Sequence, residues 1–595
     1  MTVVDIVLTL IKIVIILGFV VTGAALGTWA DRRQGAMVQD RVGPNRAVLY
    51  LPSALARVLV LLPPALFGVI AAFQAWPEAL ARVAPRGRAA IESLALGMQL
   101  AILFGWVSLI VLAGIVRKSG ALNKAEEAFA SIDPRNIFYA GLALHAAGFL
   151  LTGSVSLGAA PIAARVANGL LALVLFAIAI YAASRVPDEK VPLRLAGLLH
   201  PVADGIKLVW KEDFIPKNGD KLLHSLAPII AMFPVLVVLA VVPFGDSICF
   251  GDDGDKVFEW TDLGRMVPVV GREFACAGHT VHLQIADLNV GILYIFAIMG
   301  TSVIGSALAG VASDNKFSML GGLRAASQMV SYEVAMGLSL VGVFLIYGSV
   351  RLRDMVEWQG NNAWGVFVQP LGFVLFLAAM MAETRRTPFD QVEAESEIVA
   401  GHFVEYSGMK FGMFYLGEYA ELVTSSVILT ALFFGGFHLP FLHRDGLTIA
   451  IGDWSLFTYK MTHLSVTIIS VLSFFAKVSF VMWLQVFFRW TLPRFRYDQL
   501  MQLGWLRLLP LSIANLLVTA VVVLAIDGAS PGVQGAFKTA ADVTQAIVAI
   551  GILAGGVAVI VGLLEPPTNR RRFVKSTAAR FATARGLPKP SPQQA

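Results

Sequence analysis

The chain has 595 residues, 57% hydrophobic and 14% charged, with a formal net charge of +6. Its mean hydropathy of +0.73 lies far above that of a water-soluble globular protein and excludes an ordinary soluble enzyme. The two cysteines form no CxxC pair, and no glycine-rich dinucleotide fingerprint or phosphate loop is present, so the chain by itself holds neither an iron–sulfur cluster nor a nicotinamide.

A helix needs about 20 apolar residues to cross about 30 Å of hydrocarbon, and runs of that length recur about thirteen times. The first six are Ile6–Trp29, Ala54–Trp76, Ser93–Val116, Ile137–Ala159, Ala163–Ser184 and Leu222–Phe244. The others are Leu283–Val311, Val330–Val350, Val366–Ala382, Phe411–Phe437, Leu464–Phe488, Leu506–Ile526 and Val543–Leu564. The runs are continuous and lack the alternation of barrel strands, which predicts an all-α, polytopic transmembrane bundle. No basic segment or small-residue cleavage site precedes the first run, so it is read as a retained span and not a signal peptide.

Basic residues set the expected orientation. Arg32, Arg33, Arg41 and Arg46 follow the first span and place that loop in the cytoplasm, with the amino terminus outside. Alternation then puts Lys207, Lys211, Lys217 and Lys221 inside, together with Arg489, Arg494, Arg496 and the tail containing Arg570, Arg571, Arg572 and Lys575. The same scheme places residues 245–282 outside with both cysteines, Cys249 and Cys276, where a disulfide and two separate thiols are both open.

The most informative segment runs from Glu383 through Asp390, Glu393, Glu395 and Glu397 to Glu405, with Arg385 and Arg386 as the nearby cations. Glu393 and Glu397 stand one helical turn apart, where like charges repel. Carboxylates sharing a partly dehydrated site titrate as a coupled set and hold protons tightly, as a redox-linked proton machine requires. The bland alternative is a hydrated acidic loop. Within the spans, Glu333, Glu418, Glu421 and Lys477 each cost about 2.5–3.5 kcal/mol on insertion scales unless paired or functional. Asp287 and Lys12 are weaker candidates because both sit where a side chain can snorkel to an interface.

Six strings carry a family resemblance. They are Asp31 to Arg46 with Gly43-Pro44, Pro201 to Asp213, the acidic loop, Tyr332-Glu333, Glu418-Tyr419, and Leu492 to Met501. Together they make the chain resemble the H subunit of bacterial NADH-quinone oxidoreductase and its mitochondrial counterpart, NADH dehydrogenase subunit 1, over Ile6–Arg46, Pro201–Phe244 and Leu283 to about Ile526. The resemblance implies eight family helices that form the heel of the complex I membrane arm and close a quinone chamber against hydrophilic-arm subunits. It implies a quinone as substrate and no prosthetic group in this chain, with NADH, FMN and iron–sulfur clusters on partner subunits. Small membrane subunits and antiporter-like subunits are the other implied partners.

Carried onto this sequence, the family's proton-coupling residues are Glu383, Asp390, Glu393, Glu395, Glu397, Glu405, Glu333, Glu418, Asp204 and Glu212. Its chamber and entrance residues are Asp31, Arg32, Arg33, Gln39, Arg41, Lys207, Arg385 and Phe389. Ordinary positive-inside anchoring stands beside the chamber reading for each arginine, and a structural ion pair stands beside the proton-path reading for Glu333 and Glu418. The chain also departs from the family. Asp31 replaces a usual glutamate, Met37 a usual arginine, and both Arg385 and Glu421 a usual asparagine.

The expected organisation is a first family span with the start of the chamber loop (1–46), an inserted block of about four spans (47–199) and seven further family spans (200–526). An extra carboxyl-terminal span (527–568) and a basic cytoplasmic tail expected to be disordered (569–595) follow. The block must hold an even number of spans if its two flanks are to meet on one membrane face. Its one central ionisable residue, His145, reads as a hydrogen-bonded interior histidine and the block as scaffold. Three other functions compete: the equivalent subunit of an energy-converting hydrogenase-type complex, a stand-alone proton-coupled transporter, which the lack of an internal repeat disfavours, and a purely structural membrane scaffold, which the number of membrane-embedded charges disfavours.

Overall fold

The computed structural model describes residues 3–39, 43–44, 47, 49–52, 54–55, 191–193, 197–251, 276, 278–391, 400–444, 446–451, 454–460 and 463–564. The block's four predicted spans, apart from the start of the first, lie outside the described residues. So do His145, Arg41, Arg46, Glu393, Glu395, Glu397 and the basic tail.

Helix α1 is Val3–Val38, α2 His200–Trp210, α3 Lys221–Val237, α4 Gly291–Met299, α5 Ser302–Ala312 and α6 Lys316–Tyr347. They are followed by α7, Leu352–Asn361; α8, Pro370–Glu383; α9, Gly408–Phe433; and α10, His463–Thr491. Helix α11 spans Tyr497–Asp527 through a π-helical turn at Leu503–Leu508, and α12 is Pro531–Leu564. Among the described residues, eight helical segments are long and apolar enough to cross a membrane, with α4 and α5 forming one of them. Helix α8 was expected as a span but has 14 residues, about 21 Å of rise against about 30 Å of hydrocarbon. The shortfall leaves Gln369 at its start inside the bundle, donating to the Thr519 hydroxyl at 2.7 Å and accepting from Asn515 at 3.2 Å.

Local chemistry sets the helix boundaries. Asp220 caps α3 by accepting from the amides of Leu222 and Leu223 at 2.9 and 3.0 Å, and Asn315 caps α6 by accepting from Phe317 at 2.9 Å. Helix α3 tolerates Pro228 and Pro234 in its interior and tightens into a 3₁₀ turn at Val238–Val241. Helix α6 ends at Gly348, whose φ of +68° is a conformation that glycine adopts freely. Helix α9 is the axis of the bundle, with nearly every residue from Gly417 to Phe433 buried against α1, α3 and α10.

Three small antiparallel sheets lie outside the helices and were not expected. Strand β1, Leu49–Leu51, pairs with β2, Val191–Leu193; β3, Ile248–Phe250, pairs with β4, His279–Val281; and β5, Leu442–His443, β6, Gly446–Ile451, and β7, Trp454–Lys460, form the third. Cys249 in β3 is disulfide-bonded to Cys276, which settles the alternative left open by the sequence.

The end of the bundle near the disulfide is closed by ion pairs. Asp246 accepts from Arg444 at 2.6 and 3.2 Å and lies 3.6 Å from Arg353, which also bonds Ser247 and Glu357. Asp287 accepts from Arg351 through two bonds, one at 2.8 Å, so it is a rim ion pair. Hydrogen bonding to Arg351 holds the Asp287 carboxyl below the usual carboxylate range. Burial pushes Asp246 upward, but the bonds and charge of Arg444 outweigh it and leave that group lowered too. A carboxylate lowered on folding contributes stability in full above its unfolded pKa of about 4, and the contribution is lost as pH falls through the folded value. Thermal unfolding midpoints are therefore expected to fall as pH drops below about 4, with Asp287→Asn showing a shallower acid limb.

Lys477 is explained by the same end of the molecule. Its ammonium donates to the carbonyls of Phe434, Gly436 and His438 at 2.8, 3.0 and 2.5 Å and lies 4.4 Å from the Trp364 ring centroid. Three acceptors and an aromatic face satisfy the cation inside the bundle, where it acts as a staple for the turn after α9.

Candidate functional site

The candidate site lies at the opposite end of the bundle, where the carboxyl-terminal ends of α1, α8 and α10 meet the start of α9. Asp31 on α1 is buried and accepts three bonds, from the Tyr419 hydroxyl at 2.7 Å, Arg489 at 2.7 Å and the Trp490 indole at 2.8 Å. This knot joins α1, α9 and α10. On the next residue of α1, Arg32 reaches Asp204 of α2 at 2.6 Å, with Lys207 at 3.7 Å from the same carboxylate. Arg33 is half-buried beside Gly43, and Gln39, Lys207 and Glu212 are exposed on the same face.

The two flanks of residues 52–190 come together here. Leu51 faces Val191 in the β1–β2 register, and the Ala47 amide donates to His200 at 3.4 Å. Gly408, with φ +56°, lets the turn before α9 pack against the backbone of Lys211 and Glu212, and Asp213 pairs with Lys410 at 3.0 Å.

Behind this face, α8 ends at Glu383 and the chain enters a tight turn. Glu383 is 2% exposed, and neither carboxylate oxygen has a hydrogen-bond partner among the described residues. Arg385 adopts a left-handed φ of +54° and turns inward, donating to Ser306 on α5 at 2.6 Å and to Glu421 on α9 at 2.9 Å. Burial works against the Arg385 cation, and the charges of Glu421 and Glu418 more than offset it, so its pKa is raised. Arg386 lies 4.1 Å over the Tyr419 ring, with Nε and Nη2 buried and, among the described residues, without hydrogen bonds. Glu418 is buried one residue before Tyr419. Glu333 on α6 faces the α4–α5 junction, where a Cβ added at Gly300 would stand 3.0 Å from its Oε1.

The turn then passes Phe389, buried with ring centroids 5.7 Å from both Tyr332 and Phe495, to Asp390, which accepts from Arg494 at 2.7 Å. Glu405 accepts from Asn315 at 2.8 Å. Nearby His402 is fully buried with neither ring nitrogen hydrogen-bonded among the described residues, and burial followed by the charge of Arg385 holds its pKa well below the usual value.

Of the residues singled out in the sequence, Glu383, Arg385, Glu418 and Glu421 gather in one buried array that Arg386 and Asp31 extend through Tyr419. Glu212, Gln39 and Lys207 stay at the solvent-exposed face. Sequence reasoning missed Ser306 and Trp490, neutral residues in apolar helices that carry no charge signal, and His402, whose only signal was its place beside the acidic segment.

Fold and site together define a multi-pass membrane protein with a charge-bearing core, in which acids and arginines are held beneath a basic, ion-paired face. The chain belongs to the family described as NADH dehydrogenase, whose profile matches residues 150–520. It is 42% identical over 327 residues to the NADH-quinone oxidoreductase H subunit 1 of Geobacter sulfurreducens, covering 55% of this chain and 82% of that protein. The H subunit of the Flavobacterium johnsoniae oxidoreductase is 41% identical over 332 residues, 56% of this chain and 84% of its own. For its equivalent in Protochlamydia amoebophila the values are 40% over 331 residues, 55% and 86%.

Proposed function

We propose that the chain is the membrane-arm H subunit of a proton-translocating NADH-quinone oxidoreductase in a bacterial plasma membrane, forming one wall of the quinone chamber and the start of the proton-coupling path. The observation that carries this reading is the buried array of Glu383, Arg385, Glu421, Glu418 and Arg386, tied through Tyr419 and Asp31 to the basic face. Charges in a low-dielectric interior respond strongly to a charge created nearby. Quinone reduced at the face by electrons from a partner's cluster creates negative charge, which protons moving through these carboxylates neutralise.

The basic face is cytoplasmic in this reading, and the amino terminus and the disulfide end lie outside. Hydrophilic quinone-module subunits cover the face around Arg32, Asp204, Lys207 and Glu212, and bring the NADH, FMN and iron–sulfur chemistry. The quinone tail runs along apolar helix surface and its ring meets the polar groups near Arg385 and Phe389. Protons pass through Asp204, Glu212, Glu383, Asp390, Glu393, Glu395, Glu397 and Glu405 toward Glu333 and Glu418, and onward to antiporter-like subunits. Residues 47–199 form an inserted scaffold of about four spans, an even number that returns the chain to the same face.

Replacing both Glu393 and Glu397 by glutamine tests the coupling role. In assembled complex the double variant is expected to lose NADH-driven proton pumping. Pumping and quinone reduction that both persist unchanged sink it.

A further inference from the structure

We propose that Gln328 is a positioning residue: its single side-chain nitrogen closes both ends of the Glu383–Asp390 turn onto α6 and so sets where the turn's acids and Phe389 stand. The proposal rests on the reading of this turn as part of the quinone chamber and coupling path. Gln328 lies within α6 with no exposed surface. Its Nε2 donates to the Ala382 carbonyl at 2.7 Å and to the Phe389 carbonyl at 2.8 Å. Each acceptor belongs to the residue immediately before an acid, Glu383 in one case and Asp390 in the other. One planar amide thus fixes the separation of the two ends of the turn and ties both to the same helix.

Two further observations point to position as the purpose. Arg385, inside the clamped turn, holds a left-handed φ of +54°, a conformation that a non-glycine residue keeps only where its surroundings over-determine it. Meanwhile Gln328 Oε1 is buried with no hydrogen-bond partner among the described residues, an arrangement that stability alone disfavours and that marks a geometric constraint.

Helix α6 extends the same device. One turn after Gln328, Tyr332 packs its ring against Phe389 and donates to the Leu500 carbonyl at 2.8 Å, and Glu333 follows directly. On the far side the turn is held by the Phe495 amide donating to the Pro388 carbonyl at 3.1 Å and by Gln391 donating to the Phe495 carbonyl. The turn is therefore gripped from two sides, and on the α6 side its hydrogen bonds come from Gln328.

The test uses the assembled complex in native membranes. Gln328→Met keeps the length of the side chain and removes both donors, and Gln328→Asn keeps the donors but shortens their reach. For each, the apparent KM for a short-chain quinone is expected to rise about tenfold, because small misplacements of binding groups cost factors of this size and larger. NADH oxidation with a water-soluble acceptor stays unchanged, and amide exchange across residues 383–391 becomes faster. A merely structural role lowers the amount of complex but not the quinone KM of what assembles. An unchanged quinone KM with unchanged exchange in assembled variants overturns the proposal, as does failure of both variants to assemble. A wild-type complex without NADH-driven quinone reduction sinks the functional reading instead, and the exchange measurement then still decides the clamp.

Discussion

Glu421→Ala is expected to destabilise the protein by about 3–5 kcal/mol, seen as a lowered unfolding midpoint and a reduced amount of the protein in the membrane. The cause is the partner left behind. Arg385 donates to Glu421 at 2.9 Å with both side chains almost fully buried. A guanidinium does not shed its proton, so without Glu421 its charge stays inside the bundle with Ser306 as its remaining hydrogen-bond partner among the described residues. Arg385→Gln is expected to cost less, because a carboxylate deprived of its cation can take up a proton and become neutral. The double variant Arg385→Gln with Glu421→Ala is expected to recover most of the loss, because replacing both partners of a buried pair leaves no orphaned charge. Additive effects in this cycle would show that the two residues do not act as a pair.

Glu383→Gln is expected to lower coupled quinone reduction by about 10²-fold in assembled complex while leaving its abundance unchanged, in line with the loss of a positioned proton donor or acceptor. Among the described residues Glu383 has no hydrogen-bonded cation and neither oxygen is engaged, so the isosteric amide breaks no bond that holds the fold. What it removes is the exchangeable proton. Glu333, Glu421 and Arg385 all act electrostatically on Glu383, so it lies within reach of the α6 acid and of the Arg385–Glu421 pair. Proton pumping in inverted vesicles is the measurement. Wild-type pumping in the Glu383→Gln complex would remove Glu383 from the route.

The spans were legible because membrane-length apolar runs leave the backbone no alternative to helix. Val366–Ala382 was overestimated because its first residues belong to a separate turn at Gly365–Val368 and to Gln369, which bonds inside the bundle. Strands β6 and β7 had a readable signal in the β-branched and aromatic residues Thr448, Ile449 and Ile451, then Trp454, Phe457, Thr458 and Tyr459, on either side of Gly452-Asp453. That signal is short beside the neighbouring apolar runs. Lys477 looked like a working charge because the carbonyls that satisfy it come from a loop about 40 positions earlier, and backbone acceptors leave no trace in a sequence. Arg385 and Glu421 were each visible as departures from the family. Their pairing was not, because it spans 36 positions and depends on how α8 and α9 pack. Similarity at about 40% identity establishes the family.

The ribbon of Leu49–Leu51 beside Val191–Leu193 brings the departure and return points of residues 52–190 shoulder to shoulder. Because its two ends already lie together, the length of the chain between them enters the closure entropy only logarithmically. Such a junction tolerates trimming to a tight reverse turn, or further lengthening, without shifting the Arg32 contact to Asp204 on its threshold. The pairing thus allows the chain between Leu51 and Val191 to lengthen or shorten while its two flanks keep their places.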